Sequence, residues 1–212
     1  MEHIENNKVT LGGKVVGEFT YSHEMHGEKF YLFNILLRRL SGTYDVIPVM
    51  VSDRLMDVEK DYTDCNILVS GQFRSYNKHD SDKNRLLLSV FAREISFNEE
   101  IIEELNLNDI SLDGYICKAP IYRETPLNRE ITDVMLAVNR PYGKSDYIPC
   151  ICWGRNARFA GNLDVGTHIK ISGRIQSREY QKKLDDGDIE TRTTYEVSVS
   201  KFDLVEEEEE KN

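Results

Sequence analysis

The feature of this 212-residue chain that most constrains its fold is an internal duplication. Three segments recur at separations of 101, 101 and 102 positions: Asn7–Val15 as Asn108–Ile116, Asp45–Val49 as Asp146–Cys150, and Ile67–Phe73 as Ile169–Ile175. Solenoid arrays repeat on periods of about 20–50 residues, so this longer spacing indicates one domain present in two copies. The chain therefore either performs one function twice or has specialised one of its copies.

The second copy shows the clearer strand pattern. Apolar and polar residues alternate over Ile110–Ile116, as in a half-buried strand, and Asn139–Lys144 has the composition of a turn. The predicted strands are Ile110–Ile116, Ile131–Val138, Tyr147–Trp153, Thr167–Ser177 and Thr193–Leu204, with a short helix over Arg155–Gly161.

The first copy repeats this order. Its predicted strands are Lys8–Gly17, Lys29–Arg38, Tyr44–Ser52, Asn66–Ser75 and Arg85–Ser96, and Asp53–Glu59 takes the place of the helix. Five strands with a short helix between the third and fourth are the plan of the OB-fold, a Greek-key barrel. The sequence therefore predicts an all-β fold of two tandem OB-folds.

The charge of the chain is concentrated outside the two copies. Of the net charge of −10, residues 1–97 carry −2, residues 98–107 carry −4, residues 108–204 carry 0 and residues 205–212 carry −4. We therefore predict an OB-fold over 1–97, an acidic linker with a short helix over 98–107, a second OB-fold over 108–204 and a disordered acidic tail over 205–212. Two nearly neutral barrels can still carry a basic groove.

Composition and motifs narrow the class of protein. No apolar run approaches the roughly 20 residues of a membrane span, and the N-terminus lacks the pattern of a signal peptide, so we expect a cytoplasmic protein. The four cysteines form no Cys-x-x-Cys pair and are expected to be small buried residues, without a metal or other cofactor. Phosphate-loop, zinc-protease and serine-hydrolase motifs are absent from the sequence, so we do not expect an enzyme.

Four stretches of the second copy resemble the bacterial single-stranded DNA-binding protein (SSB) family, to which primosomal replication protein N is related. They are Asn108–Gly114, Asp146–Gly154, Gly166–Ser177 and Tyr195–Val199. The resemblance covers about 95 residues there and extends more faintly to the first copy. It implies an OB-fold that binds single-stranded DNA without strong sequence preference, in replication, repair or recombination.

The resemblance also places an aromatic residue at each main base-stacking position of the second copy: Tyr142, Tyr147, Trp153 and Tyr180. Stacking tolerates any sequence and contributes about 1–3 kcal/mol per base. Tyr147 and Trp153 are six positions apart, so they share one face of a strand over about 20 Å. Core packing is the alternative for each ring.

Basic residues interleave with these rings, as a groove that neutralises phosphates requires. They are Arg140, Lys144, Arg155, Arg158, Arg174, Arg178, Lys182, Lys183 and Arg192. Any one of them is an ordinary surface residue, and the cluster carries the prediction.

The first copy departs from the pattern, because Val46 and Ser52 stand where the second copy has Tyr147 and Trp153. It keeps a smaller set of candidate binding residues: Arg38, Arg39, Tyr44, Arg74 and Tyr76. We therefore expect the first copy to bind DNA more weakly or to serve chiefly in assembly.

The expected partner is single-stranded DNA, with RNA left open. By analogy with the family, one chain imitates a homodimer, and two chains supply four OB-folds. The acidic tail lacks the terminal Pro-Phe with which family tails engage other replication and repair proteins. The alternative function is an OB-fold scaffold of a replication, primosome or mobile-element complex with little affinity for DNA.

Overall fold

The computed structural model describes residues 5–80, 83–97, 107–183 and 187–205. The predicted linker helix and the predicted disordered tail fall on residues 98–106 and 206–212, outside the described residues. No helix in the described ranges is long and apolar enough to cross a membrane.

The first copy of the repeat forms a closed five-stranded barrel. Its strands are β1 (Asn7–Met25), β2 (Glu28–Arg38), β3 (Tyr44–Ser52), β4 (Asn66–Asp80) and β5 (Lys83–Ser96). They lie in the order β2-β3-β5-β4-β1, and β1 also pairs with β2 to close the barrel. All these pairings are antiparallel except that of β3 with β5. This is the Greek-key arrangement predicted from the sequence.

The second copy has the same arrangement. Its elements are β6 (Asn108–Ile116), β7 (Ile121–Glu124), β8 (Glu130–Asn139), β9 (Ser145–Trp153), α1 (Arg155–Ala160), β10 (His168–Lys183) and β11 (Ile189–Leu204). The order β6-β10-β11-β9-β8 closes through β6 and β8, and β9 pairs with β11 in parallel. The extra strand β7 lies between the first two strands predicted for this copy and pairs with β8.

The helix between the third and fourth strands is present in one copy. It is confirmed in the second copy as α1. In the first copy the prediction was wrong, since the residues after β3 form turns. Two side chains bind nearby backbone groups there: Ser52 Oγ accepts from Arg54 N at 3.1 Å, and Asp57 Oδ1 accepts from Glu59 N at 3.3 Å. Such local bonds compete with the first turn of a helix.

The described residues divide into two compact bodies. We call Val9–Asp109 with Ile175–Glu196 the first body, and Ile110–Arg174 with residues 5–8 and 197–205 the second body. The segment Ile175–Glu196, called the arm below, comprises the far ends of β10 and β11. The arm therefore groups with the first repeat although its sequence belongs to the second.

The inward faces of both barrels repeat the same apolar positions. Val9, Leu11 and Val15 of β1 are fully buried, and Ile110 and Leu112 of β6 are 2% exposed at positions 101 residues later. Burial on one side of each strand is what the alternating pattern predicted.

Among the glycines of each copy, Gly71 of β4 and Gly173 of β10 leave the least room for a Cβ atom. A Cβ on Gly71 would lie 2.2 Å from the Phe91 carbonyl oxygen, and one on Gly173 would lie 2.1 Å from that of Ser198. Since a backbone atom cannot move away cheaply, we expect Gly71→Ala and Gly173→Ala each to lower the free energy of unfolding by about 1–3 kcal/mol in urea denaturation. Ser70→Ala is the control, and equal stability of all three variants contradicts this account.

Candidate nucleic-acid interface

A pair of a partly buried arginine and a buried aspartate frames the loop between the second and third strands in both copies. Arg39 Nε donates to Asp45 Oδ2 at 2.7 Å, and Arg140 Nε donates to Asp146 Oδ2 at 2.8 Å. In each pair Nη2 also donates to the second carboxylate oxygen, and both aspartates are fully buried. The hydrogen bond to Asp45 raises the pKa of the Arg39 guanidinium. The backbone repeats as well, with 2.7 Å bonds from Arg39 N to Thr43 O and from Arg140 N to Lys144 O.

We call each of these arginine–aspartate pairs a clamp. In the second body, the loop held by the clamp presents Tyr142 to solvent. Tyr142 lies in the 3-10 turn Pro141–Gly143 with φ +65°, a conformation that is costly for a residue with a Cβ. Its side chain is 94% exposed. The ring is therefore free of the core and held by a loop whose base is fixed by the Arg140–Asp146 pair.

The outer face of β9 carries the next two rings. Tyr147 is 43% exposed and Trp153 is 37% exposed, whereas Cys150 and Cys152 point into the barrel. The indole Nε1 of Trp153 donates to Ser198 Oγ at 3.2 Å, which holds the edge of the ring against β11. Burial raises the pKa of the Cys152 thiol to about 12, so this group stays protonated at neutral pH.

The fourth predicted ring, Tyr180, lies on the arm and is 39% exposed. A shallow cavity of about 250 Å³ adjoins it, lined by Glu179, Gln181 and Thr191. The pKa of Arg192 is raised chiefly by its hydrogen bond to Glu190, and Tyr180 adds to the effect. The structure thus places Tyr180 beside a cation within the first body.

Two tyrosines extend the aromatic surface of the first body. Tyr44 on β3 is 56% exposed and Tyr76 on β4 is 67% exposed. Val46 is 38% exposed at the position equivalent to Tyr147, whereas Ser52, at the position of Trp153, is buried.

The predicted cations differ in whether a carboxylate already neutralises them. Arg158 Nε lies 2.6 Å from Glu130 Oε2, and Arg178 Nε lies 3.9 Å from Glu196 Oε1. With the two clamps and Arg192–Glu190, five predicted arginines are paired with carboxylates. Arg74 donates to Gln72 Oε1. Six cations lie more than 4.0 Å from every carboxylate of the described ranges: Arg38, Lys144, Arg155, Arg174, Lys182 and Lys183.

Sequence reasoning missed Phe91 and Arg93 on β5. The Arg93 guanidinium carbon lies 5.1 Å from the centre of the Phe91 ring, and Arg93 Nη2 donates to Gln72 Oε1 at 3.3 Å. The duplication could have pointed to Phe91. The parallel pairing of β3 with β5 places Phe91 at the position that Ser198 holds in the second copy.

Residues 107–205 match the model of the Single-strand binding protein family. A single-stranded DNA-binding protein from Clostridium tetani is 37% identical over 84 residues, which are 36% of this chain and 58% of that protein. One from Halalkalibacterium halodurans is 35% identical over 81 residues, 35% of this chain and 48% of that protein. The chain therefore spans about half the length of these curated relatives.

Likeness in three dimensions extends over the whole duplication. The crystal structure of the wild-type single-stranded DNA binding protein from Thermus aquaticus aligns with 97% of this chain and 96% of its own, at a TM-score of 0.76 and 18% identity. At 18% identity, this match shows a similar fold and nothing more. The second copy, residues 107–205, is thus similar in sequence to the single-strand binding protein family and folds as a closed barrel.

Proposed function

We propose that this protein binds single-stranded DNA without strong sequence preference, in replication, repair or recombination. The observation that carries the proposal is the exposure of Tyr142, Tyr147 and Trp153 on the second body. Rings buried in the core would favour a scaffold, whereas exposed rings have faces on which bases can stack. The scaffold alternative is not favoured.

The stacking surface has a fixed part and a projecting part. Trp153 is anchored through Ser198, and Tyr147 lies six positions earlier on the outer face of the same strand. Tyr142 projects from the clamped loop. We propose that successive bases stack on Tyr147 and Trp153 and that Tyr142 closes over a further base. Tyr180, Tyr44 and Tyr76 extend this role to the first body.

We assign the phosphate contacts to those predicted cations that have no carboxylate within 4.0 Å among the described residues. We propose Lys144, Arg155 and Arg174 for the second body, and Arg38, Lys182 and Lys183 for the first. Arg39 and Arg140 instead hold their loops, because their donors are directed at buried carboxylates. Their effect on DNA binding is then indirect, through the position of the loop.

Salt dependence tests this assignment. Each phosphate neutralised on a single strand contributes about 0.7 to the slope of log affinity against log salt concentration. We expect Lys144→Ala/Arg155→Ala to reduce the slope for a dT oligonucleotide by about 1.4, measured by fluorescence anisotropy. Arg158→Ala is the matched control, since Glu130 already neutralises this neighbouring arginine. Equal slopes for the double variant and the control would remove the two residues from the phosphate-binding set.

We also propose that two chains associate to supply four OB-folds, as the family resemblance implies. Light scattering then gives a mass of twice the chain's 24.6 kDa. A mass of one chain at all concentrations would reject the homodimer and leave the DNA-binding proposal intact.

A further inference from the structure

The duplication permits a position-by-position comparison of the outer faces around Trp153. In the second body, Trp153 of β9 pairs with Ile131 of β8, and β9 lies parallel to β11, which supplies Ser198. In the first body, β3 pairs with β2 and β5 in the same registers. The equivalent residues are Phe30 for Ile131, Ser52 for Trp153 and Phe91 for Ser198.

In the first body, aromatic residues therefore lie on the two strands that flank β3 and not at the Trp153 position of β3 itself. Ser52 in the central strand is buried, and its hydroxyl donates to Glu28 and accepts from Arg54 N. Both flanking positions have become phenylalanine. The first body has lost its ring on β3 and gained one on each neighbouring strand.

These rings form a continuous series. The rings of His23 and Phe30 stack with centres 4.9 Å apart and planes at 12°, and those of Phe30 and Phe91 are 5.8 Å apart at 34°. The Arg93 guanidinium covers the far end, 5.1 Å from the Phe91 centre. Phe30 is buried, Phe91 is half-buried, and His23 and Arg93 are exposed. Phe30 thus supports the series from below, and Phe91 is the phenylalanine that reaches the surface.

Arg93 gives this surface a charge as well as a planar group. No carboxylate of the described residues lies within 4.0 Å of its guanidinium, which contacts only neutral groups in the bonds described above. A guanidinium can stack on a base and can attract a phosphate, and a phenyl ring offers a face to any base.

We infer that Phe91 and Arg93, supported by Phe30 and His23, form a nucleobase-stacking site on the first body that replaces the missing tryptophan. This inference rests on the proposed function and names a binding site in the copy that lacks aromatic residues on β3 at the Tyr147 and Trp153 positions. The first copy then contributes to binding through β5, in contrast to the weak binding or assembly role expected from Val46 and Ser52.

A single-tryptophan variant of the full chain tests the site directly. In Phe91→Trp/Trp153→Phe, the sole tryptophan lies on β5, and we expect a dT oligonucleotide to quench its fluorescence. The control is Phe97→Trp/Trp153→Phe, because Phe97 is 50% exposed and stacks on Tyr62, which is not a member of the proposed site. Quenching of the first variant and not of the control supports the site. Absence of quenching in the first, with binding retained in a gel-shift assay, overturns it.

Affinity provides a second measurement that does not depend on Trp153→Phe. We expect Phe91→Ala to weaken binding of a long dT oligonucleotide about tenfold, the scale of one lost stacking contact, and Arg93→Ala to weaken it less. Phe97→Ala should match the wild-type protein, and circular dichroism checks that each variant is folded. Unchanged affinity in folded Phe91→Ala overturns the site. Failure of the wild-type protein itself to bind instead overturns the proposed function.

Discussion

Replacing Trp153 by alanine should weaken binding of a dT oligonucleotide by about tenfold or more, since one base–aromatic stack contributes about 1–3 kcal/mol. The indole is 37% exposed and its Nε1 is held by Ser198, so the stacking face is already positioned in the unbound chain. Little ordering entropy then remains to be lost when a base stacks on it. Fluorescence anisotropy of a labelled oligonucleotide measures the change.

Trp153→Phe is the matched control for this loss. Phenylalanine keeps an aromatic face and lacks the bond to Ser198, so its affinity should lie between those of the wild-type protein and the alanine variant. A folded alanine variant that binds as tightly as the wild-type protein would contradict the stacking role of Trp153.

The largest loss of stability is expected for Asp45→Ala. This fully buried carboxylate accepts hydrogen bonds from Arg39 Nε at 2.7 Å, from Ser177 N at 2.6 Å and from Ser177 Oγ at 3.1 Å. Removing it takes this acceptor from the arginine and from the Ser177 amide, and breaking an ion pair whose carboxylate is buried costs about 3–5 kcal/mol. Urea denaturation measures the free energy of unfolding.

Two variants separate charge burial from a general effect of substitution. Asp133→Ala breaks a similar two-bond pair with Arg123, but both side chains are about half exposed, so we expect a loss below about 1 kcal/mol. Arg39→Met/Asp45→Leu removes the buried carboxylate together with its partly buried partner and should recover part of the stability. Equal stability of Asp45→Ala and Asp133→Ala would show that the clamp does not stabilise the fold.

The strands and the duplication could be predicted because they depend on local patterns. Val9, Leu11 and Val15 recur at even spacings along β1, and this period of two decides which side faces the core. The helix was harder to predict, because both copies have a suitable segment. In the first copy, the side chains of Ser52 and Asp57 accept hydrogen bonds from nearby backbone amides, and turns form in place of a helix. Competition between bonds of similar strength cannot be resolved from residue types alone.

The site was predicted less completely than the fold. Exposed rings in loops and on a strand face follow from sequence position, as Tyr142 and Tyr147 illustrate. The partners of Arg39 and Arg140 do not, because each aspartate lies across a turn and its burial depends on the closed barrel. Phe91 was not predicted, because its equivalence to Ser198 is seen only in the pairing of the strands.

Titrating the fluorescence of Trp153 with a dT oligonucleotide tests the central claim most directly, because it is the single tryptophan of the chain. We predict saturable quenching at low salt that shifts to higher oligonucleotide concentration as salt is added. Fluorescence that stays constant at low salt, up to concentrations far above that of the protein, would contradict the claim that bases stack on this ring.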